Sequence, residues 1–312
     1  MGQMQIAIVG ECMVELQQQS QELLSRKFGG DTLNTAVYLS RLTRSADINV
    51  SYISGLGEDM FSQQMLHSWQ QEGIDTQYVQ HLTNKLPGLY LIETDPDGER
   101  HFRYWRNDSA AKYCLEQDNY PEIAKALTQF NWIYLSGISL AILTSKSRDN
   151  LFTALEQAKA AGCKIIFDNN YRPALWENLE ETQQIYQQIL QLTDLALLTF
   201  DDELALYGEH TTNDCLSRTR QLGVNSIVLK MGSQPCHIFV ENEHYTVAAN
   251  KVPKENVVDT TAAGDSFGAG FIAAMLLGKD PQTCAHWGHD LAGTVIRYKG
   301  AIIDRNNMPL LT

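Results

Sequence analysis

The sequence predicts an α/β fold: a mostly parallel central sheet with helices on both faces, plus a small β-sheet lid. Three observations predict it. Short apolar runs rich in β-branched residues alternate with amphipathic helical patterns, glycine or polar residues follow several of those runs, and one segment replaces the alternation with a hairpin. At 312 residues, 44% hydrophobic and 20% charged, the chain can bury a large core, which excludes a disordered polymer.

From the amino end, "QIAIVG" reads as a strand, "DTLNTAVYLSRL" as a helix, "VSYISG" as a strand and "MFSQQMLHSWQQEG" as a helix. After residues 88–108 the alternation resumes with "WIYLSG", "SRDNLFTALEQAKAAG", "KIIFDNN", "ETQQIYQQILQL" and "LALLTF". The interruption, "GLYLIETDPDGERHFRYWRND", is two extended runs around the turn "DPDGE". Its alternation puts Phe102, Tyr104 and Arg106 on one face and His101, Arg103 and Trp105 on the other. An aromatic and a guanidinium on one face suit a lid over a polar ligand; a solvated hairpin is the alternative.

Lys and Arg number 24 against 37 Asp and Glu, a net charge of −13. The global field therefore repels nucleic acid and anionic membranes, and an anionic ligand needs local cations. Six scattered cysteines form no C-x-x-C pair, and the opening "MGQMQIAIVGECM" lacks a cationic leader, so reduced thiols in a cytoplasm are expected. The apolar run Phe271 to Leu277 is too short to span a bilayer.

In parallel sheets ligands bind beyond the carboxyl ends of strands. "FDNNYRPALW" alternates Asp168, Asn170 and Arg172 along such an end, where Arg172 offers a planar fork to a carboxylate or phosphate. "IVLKMGS" places Lys230 and Gly232 at another. In "VVDTTAAGDSFGAGF" the helix opening after "AAG" offers unpaired N–H groups and a positive dipole end to an anion. Asp265 there either caps the helix or acts on a neighbouring hydroxyl. "FGGDTLNTAVYLSRL" is a glycine turn with Asp31 as a cap candidate and Asn34 on the same helix edge, both placed to grip sugar hydroxyls. Gly268, Gly270 and Ala273 match G-x-G-x-x-A, but no strand precedes them, so helix packing is the better account and a Rossmann oxidoreductase is set aside.

"DTTAAGDSFGAGF" and "GGDTLNTAVYLSRL" resemble the carboxyl-terminal D-T-x-G-A-G-D and amino-terminal G-G-x-x-x-N-x-A signatures of the ribokinase-like carbohydrate kinases. The likeness is closest to the sugar-acid kinases, through those segments and "GECMVEL", "LPGLYLIETDPDGERHFRYWRND", "YLSGISLAIL" and "FDNNYRPALW". It implies a single ribokinase-like domain over residues 1–312 with a discontinuous lid from about 12–28 and 86–108. It also implies a sugar acid and ATP as small-molecule partners, Mg²⁺, and a homo-oligomer. By the same resemblance Asp265 is the base for the sugar's primary hydroxyl, and the amides of Ala262, Ala263 and Gly264 stabilise the transferring group. Gly30, Asp31, Asn34, Tyr90 and Tyr104 hold the sugar, and Arg106 and Arg172 face its carboxylate. Asn170, Lys230, Gly232 and His289 lie toward the nucleotide, and a monovalent cation such as K⁺ binds near Asp259 and Gly300. The chain departs from the pattern twice: Ala262 replaces a glycine, and "TFDDE" leaves Thr199 and Asp202, or Glu203, where a magnesium motif is expected. A kinase for a neutral sugar such as fructose or ribose, and a non-catalytic nucleotide-binding regulator, are the rival readings.

Overall fold

A computed structural model describes residues 3–20, 22–94, 100–208, 211–241 and 243–311. In chain order its strands are β1 (Met4–Val9), β2 (Met13–Gln18), β3 (Leu24–Gly29), β4 (Ile48–Ile53), β5 (Gly55–Leu56), β6 (Gln80–His81), β7 (Gly88–Thr94) and β8 (Arg100–Trp105). They continue with β9 (Trp132–Ser136), β10 (Lys164–Asp168), β11 (Leu195–Thr199), β12 (Ser226–Lys230), β13 (Cys236–Val240) and β14 (Glu243–Val247).

Eight strands form the main sheet in the order β14-β13-β12-β11-β10-β9-β1-β4. Every pairing from β12 to β4 is parallel, whereas β12–β13 and β13–β14 are antiparallel. The edge hairpin β13–β14 is a second departure from the alternation, in addition to the one expected at residues 88–108. Because helices cover both faces, the parallel strands are buried on both sides. Along β1, Ile6 and Ile8 enter one core cluster and Ala7 and Val9 the other.

A separate four-stranded sheet runs β3-β2-β7-β8. Tyr90 of β7 lies opposite Tyr104 of β8, and Glu15 of β2 lies between Tyr90 and Lys27 of β3. The expected "DPDGE" turn, residues 95–99, lies outside the described residues. Helix Ala263–Leu276 packs closely on Pro281–Val295: a Cβ on Gly270 would stand 2.6 Å from the Trp287 carbonyl oxygen, and one on Gly288 2.9 Å from Phe267. The glycine spacing of that helix thus serves packing, as the sequence suggests. Among the described residues no helix is long and apolar enough to cross a membrane.

Candidate active site

The carboxyl ends of β1, β9, β10 and β12 converge on one polar region, with the first turns of the Asp31–Thr43 and Ala263–Leu276 helices beside it. The second helix starts after Ala262 without a side-chain cap. Asp265 is therefore not the cap: it is the third helical residue, and its Oδ2 accepts a hydrogen bond from Asn34 Nδ2 at 2.8 Å. Burial, then the Asp31 carboxylate, pushes the Asp265 carboxyl up to about 8, against the opposing pull of the Asn34 bond. A carboxyl tuned toward neutrality at a helix N-terminus is placed for proton transfer.

The anion-receiving amides are fewer than the sequence implies. The Ala263 N–H donates to the Thr260 carbonyl at 3.1 Å, because the turn that aims the helix consumes it. Those of Ala262 and Gly264 have no protein partner among the described residues, and Gly264 is exposed.

Asp31 also differs from its expected capping role. The helix begins at Asp31 itself, with Gly30 in the cap position and no side-chain cap. Its Oδ2 instead accepts from Ser136 Oγ at 2.5 Å and from Asn170 Nδ2 at 2.8 Å. Asn170, expected toward the nucleotide, therefore turns to the Asp31 side, and it does so at φ 26, in the left-handed region that asparagine tolerates better than most residues. Gly30 must be glycine because a Cβ would sit 2.2 Å from the Glu11 carbonyl oxygen, which is backbone and cannot rotate away.

Beneath the helix N-terminus, Lys230 Nζ bonds both oxygens of Asp168, at 3.0 and 2.8 Å, in a buried pair. Burial still raises the Asp168 carboxyl, even against Lys230. A Cβ on Gly264 would lie 3.8 Å from Lys230 Nζ, so the ammonium stands just under the exposed Gly264. Glu203, one of the expected magnesium carboxylates, is spent on structure: it is buried, paired with Arg218, and accepts from Asn169 Nδ2 at 2.9 Å. Asp202 is half-buried, accepts from the Tyr171 N–H at 3.2 Å, and meets Arg172 Nη1 at 3.4 Å. Thr199 sits at the end of β11, its N–H bound to Asn169 Oδ1.

On the small sheet, Tyr90, Phe102 and Tyr104 share a face as the alternation demands, with the Tyr90 and Tyr104 rings 5.8 Å apart and Phe102 and Tyr104 stacked at 6.4 Å. Burial raises the Tyr104 phenol while Arg106 and then Arg172 pull it down, so both guanidiniums act on one hydroxyl. Arg106 is not waiting for an acid: it is already buried against Glu11. Tyr90 in turn donates to Glu15.

The remaining candidates are more dispersed. Gly232 follows β12 at φ +59 with open space around it. His289 is buried, tied to the Val247 carbonyl at 3.0 Å and edge-on to Phe267, and burial lowers its pKa. Asp259 bridges two loops, accepting from Thr261 Oγ1 at 2.6 Å and from the Gly300 N–H at 2.9 Å. Glu11, Glu15 and Ser136 also belong to this region without a sequence signal, because a side chain that serves another distant residue has no spacing pattern of its own.

Residues 3–308 match the model of the pfkB family of carbohydrate kinases. The chain is similar to the 2-dehydro-3-deoxygluconokinase of Dickeya dadantii (strain 3937), with 53% identity over 97% of this chain and 98% of the other. In structure it is similar to the 2-dehydro-3-deoxygluconokinase of Thermotoga maritima, with a TM-score of 0.82 at 19% identity, covering 96% of each chain. It is also similar to a putative ribokinase II of E. coli in complex with ATP and Mg²⁺, with a TM-score of 0.81 at 22% identity over 96% and 94% of the two chains.

Proposed function

The chain belongs to the pfkB family of carbohydrate kinases, and we propose that it transfers the γ-phosphoryl group of ATP to the primary hydroxyl of 2-dehydro-3-deoxygluconate, giving the 6-phosphate and ADP. The observation that carries this reading is a carboxylate and an anion-receiving helix end within one turn of backbone, Asp265 beside the amides of Ala262 and Gly264. The substrate is supported by likeness over the whole chain to an enzyme of that name and by the two guanidiniums acting on Tyr104.

Asp265 takes the proton of the primary hydroxyl as that oxygen bonds to the γ-phosphorus and the bond to the bridging oxygen of ADP breaks. Asn34 orients the accepting carboxylate, since its amide holds Oδ2. The Ala262 and Gly264 amides, with Lys230 below, hold the charge that develops on the transferring group. Ala263 contributes by shaping the turn. Gly30, Asp31, Tyr90 and Tyr104 enclose the sugar, with Asn170 bound to Asp31, and Arg172 reaches its carboxylate from Asp202 while Arg106 does so from Glu11.

Mg²⁺ on the nucleotide phosphates supplies charge neutralisation for the transfer. Asp202 would serve the water shell of an ion held by those phosphates. Gly232 and His289 belong to the nucleotide side, and K⁺ would bind where Asp259 ties its loop to Gly300. We further infer a cytoplasmic homo-oligomer, to which exposed Met60, Leu86 and Trp105 offer apolar surface. The test is ADP release over a panel of sugar acids and neutral sugars, with the phosphate located by NMR. Phosphorylation of the sugar acid at its primary carbon supports the reading; preference for fructose or ribose would replace it with the neutral-sugar kinase, and no turnover with any sugar would leave a nucleotide-binding regulator.

A further inference from the structure

The segment "GECMVEL" leaves β1 where ligands bind in such sheets, yet its acids have no part in the chemistry above. Glu11 and Glu15 each hold a side chain of the small sheet from behind: Glu15 accepts from the Tyr90 hydroxyl, and Glu11 pairs with Arg106 Nη2. The side chains of the Glu11–Arg106 pair are themselves 2% and 8% exposed. Only one edge of each group is used. Glu11 Oε1 and Arg106 Nε are both buried without a partner, so the fork is engaged at Nη2 alone.

The pairing raises a question, because a cation meant for a substrate carboxylate is already facing one. Two roles are conceivable, and they predict opposite effects. As a competitor, Glu11 would occupy the guanidinium until substrate displaced it; but displacement would strand a carboxylate that is 2% exposed, at a cost a surface acid would not incur. As a template, Glu11 would keep Nη2 and leave the rest of the planar fork fixed in direction. Packing favours the second role. A Cβ on Gly88 would lie 2.8 Å from Glu11 Oε1 and 3.2 Å from Arg106 Cβ, so the start of β7 closes over the pair and leaves it little room to part.

We propose that Glu11 is a positioning residue that sets acid selectivity by fixing the guanidinium of Arg106. The inference rests on the sugar-acid kinase reading and deepens it. Glu11→Gln keeps the size and one acceptor oxygen but removes the charge, so KM for the sugar acid rises by roughly tenfold while kcat stays within about twofold, and KM for ATP is unchanged. Constants for a neutral analogue lacking the carboxylate stay within about twofold as well. In an Arg106→Ala background, Glu11→Gln has no further effect on acid selectivity. Glu11→Asp retains the charge but withdraws it by one methylene, giving an intermediate loss; it also serves if the Gln variant does not fold, as judged by thermal unfolding.

An unchanged acid-to-neutral ratio in both variants overturns the proposal, and a lowered KM for the acid would make Glu11 a competitor instead. Equal losses for acid and neutral sugar would make it purely structural. If the parental enzyme itself phosphorylates no sugar acid, the underlying reading has failed rather than the role of Glu11.

Discussion

Around Asp265 the carboxylates and the ammonium are held by the large sheet and the helices packed on it, whereas around Tyr104 the groups come from two sources, the separate four-stranded sheet with one face half open and, with Arg172, the chain that follows β10. Asp31, Asn34, Asp168 and Lys230 are fixed by side-chain bonds of 2.5 to 3.0 Å drawn from β9, β10, β12 and two helices. Tyr104 and Phe102 remain 52% and 38% exposed, and Arg172 shares a half-exposed pair with Asp202. The difference teaches a division of labour: phosphoryl transfer is preorganised in the core, and recognition of the acid is placed where a ligand can still complete the structure.

The hardest blow to that division falls on its chemical side. Asp265→Asn keeps an acceptor for Asn34 and removes the base, so kcat should fall by about 10²–10⁴-fold while ATP affinity, read by calorimetry, stays within about twofold. Near-parental turnover would remove the base from the account. Next in size is the recognition side, where Arg172→Ala should raise KM for the sugar acid by about tenfold and leave a neutral analogue nearly untouched. Losses equal for both would move Arg172 to the phosphates, or to a purely structural pairing with Asp202.

A smaller effect sharpens the same contrast through pH. The Asp265 carboxyl is raised in the folded protein to about 8, above its unfolded value, so folding favours its protonated form. The stability this contributes is complete below the unfolded pKa and is lost as pH rises through about 8. Asp265→Asn should therefore gain melting temperature over the parent at pH 9 relative to pH 5. A difference between the two proteins that does not vary with pH would show that burial does not load this carboxylate.

Much of both regions was legible in the sequence, for identifiable reasons. Period-2 and period-3.6 patterns marked the main strands and helices because each buries a continuous face, and they put Tyr104 on the same side as Phe102. Asp265 stood out because a glycine-rich helix start is a local feature. What escaped were pairings across the chain: Glu11 with Arg106, Asn170 with Asp31, and Glu203 with Arg218 and Asn169. No local pattern records which of two distant carboxylates a cation will meet. The β13–β14 hairpin escaped because its alternation resembles that of any half-covered strand. Asp31 as a side chain that does not cap, and Ala263 as an N–H already bonded, turn on events within a single turn, where one hydrogen bond decides whether a group caps, receives or is consumed.

Hydrogen exchange, followed with and without ligands, tests most directly whether recognition of the acid resides on the small sheet. A sugar acid should slow exchange markedly across residues 88–94 and 100–105, while a neutral analogue or ATP alone should not, and the buried helix Ala263–Leu276 should be slow throughout. Protection of the two strands that no ligand changes, or that is already maximal without one, would contradict the account and make that sheet a fixed wall.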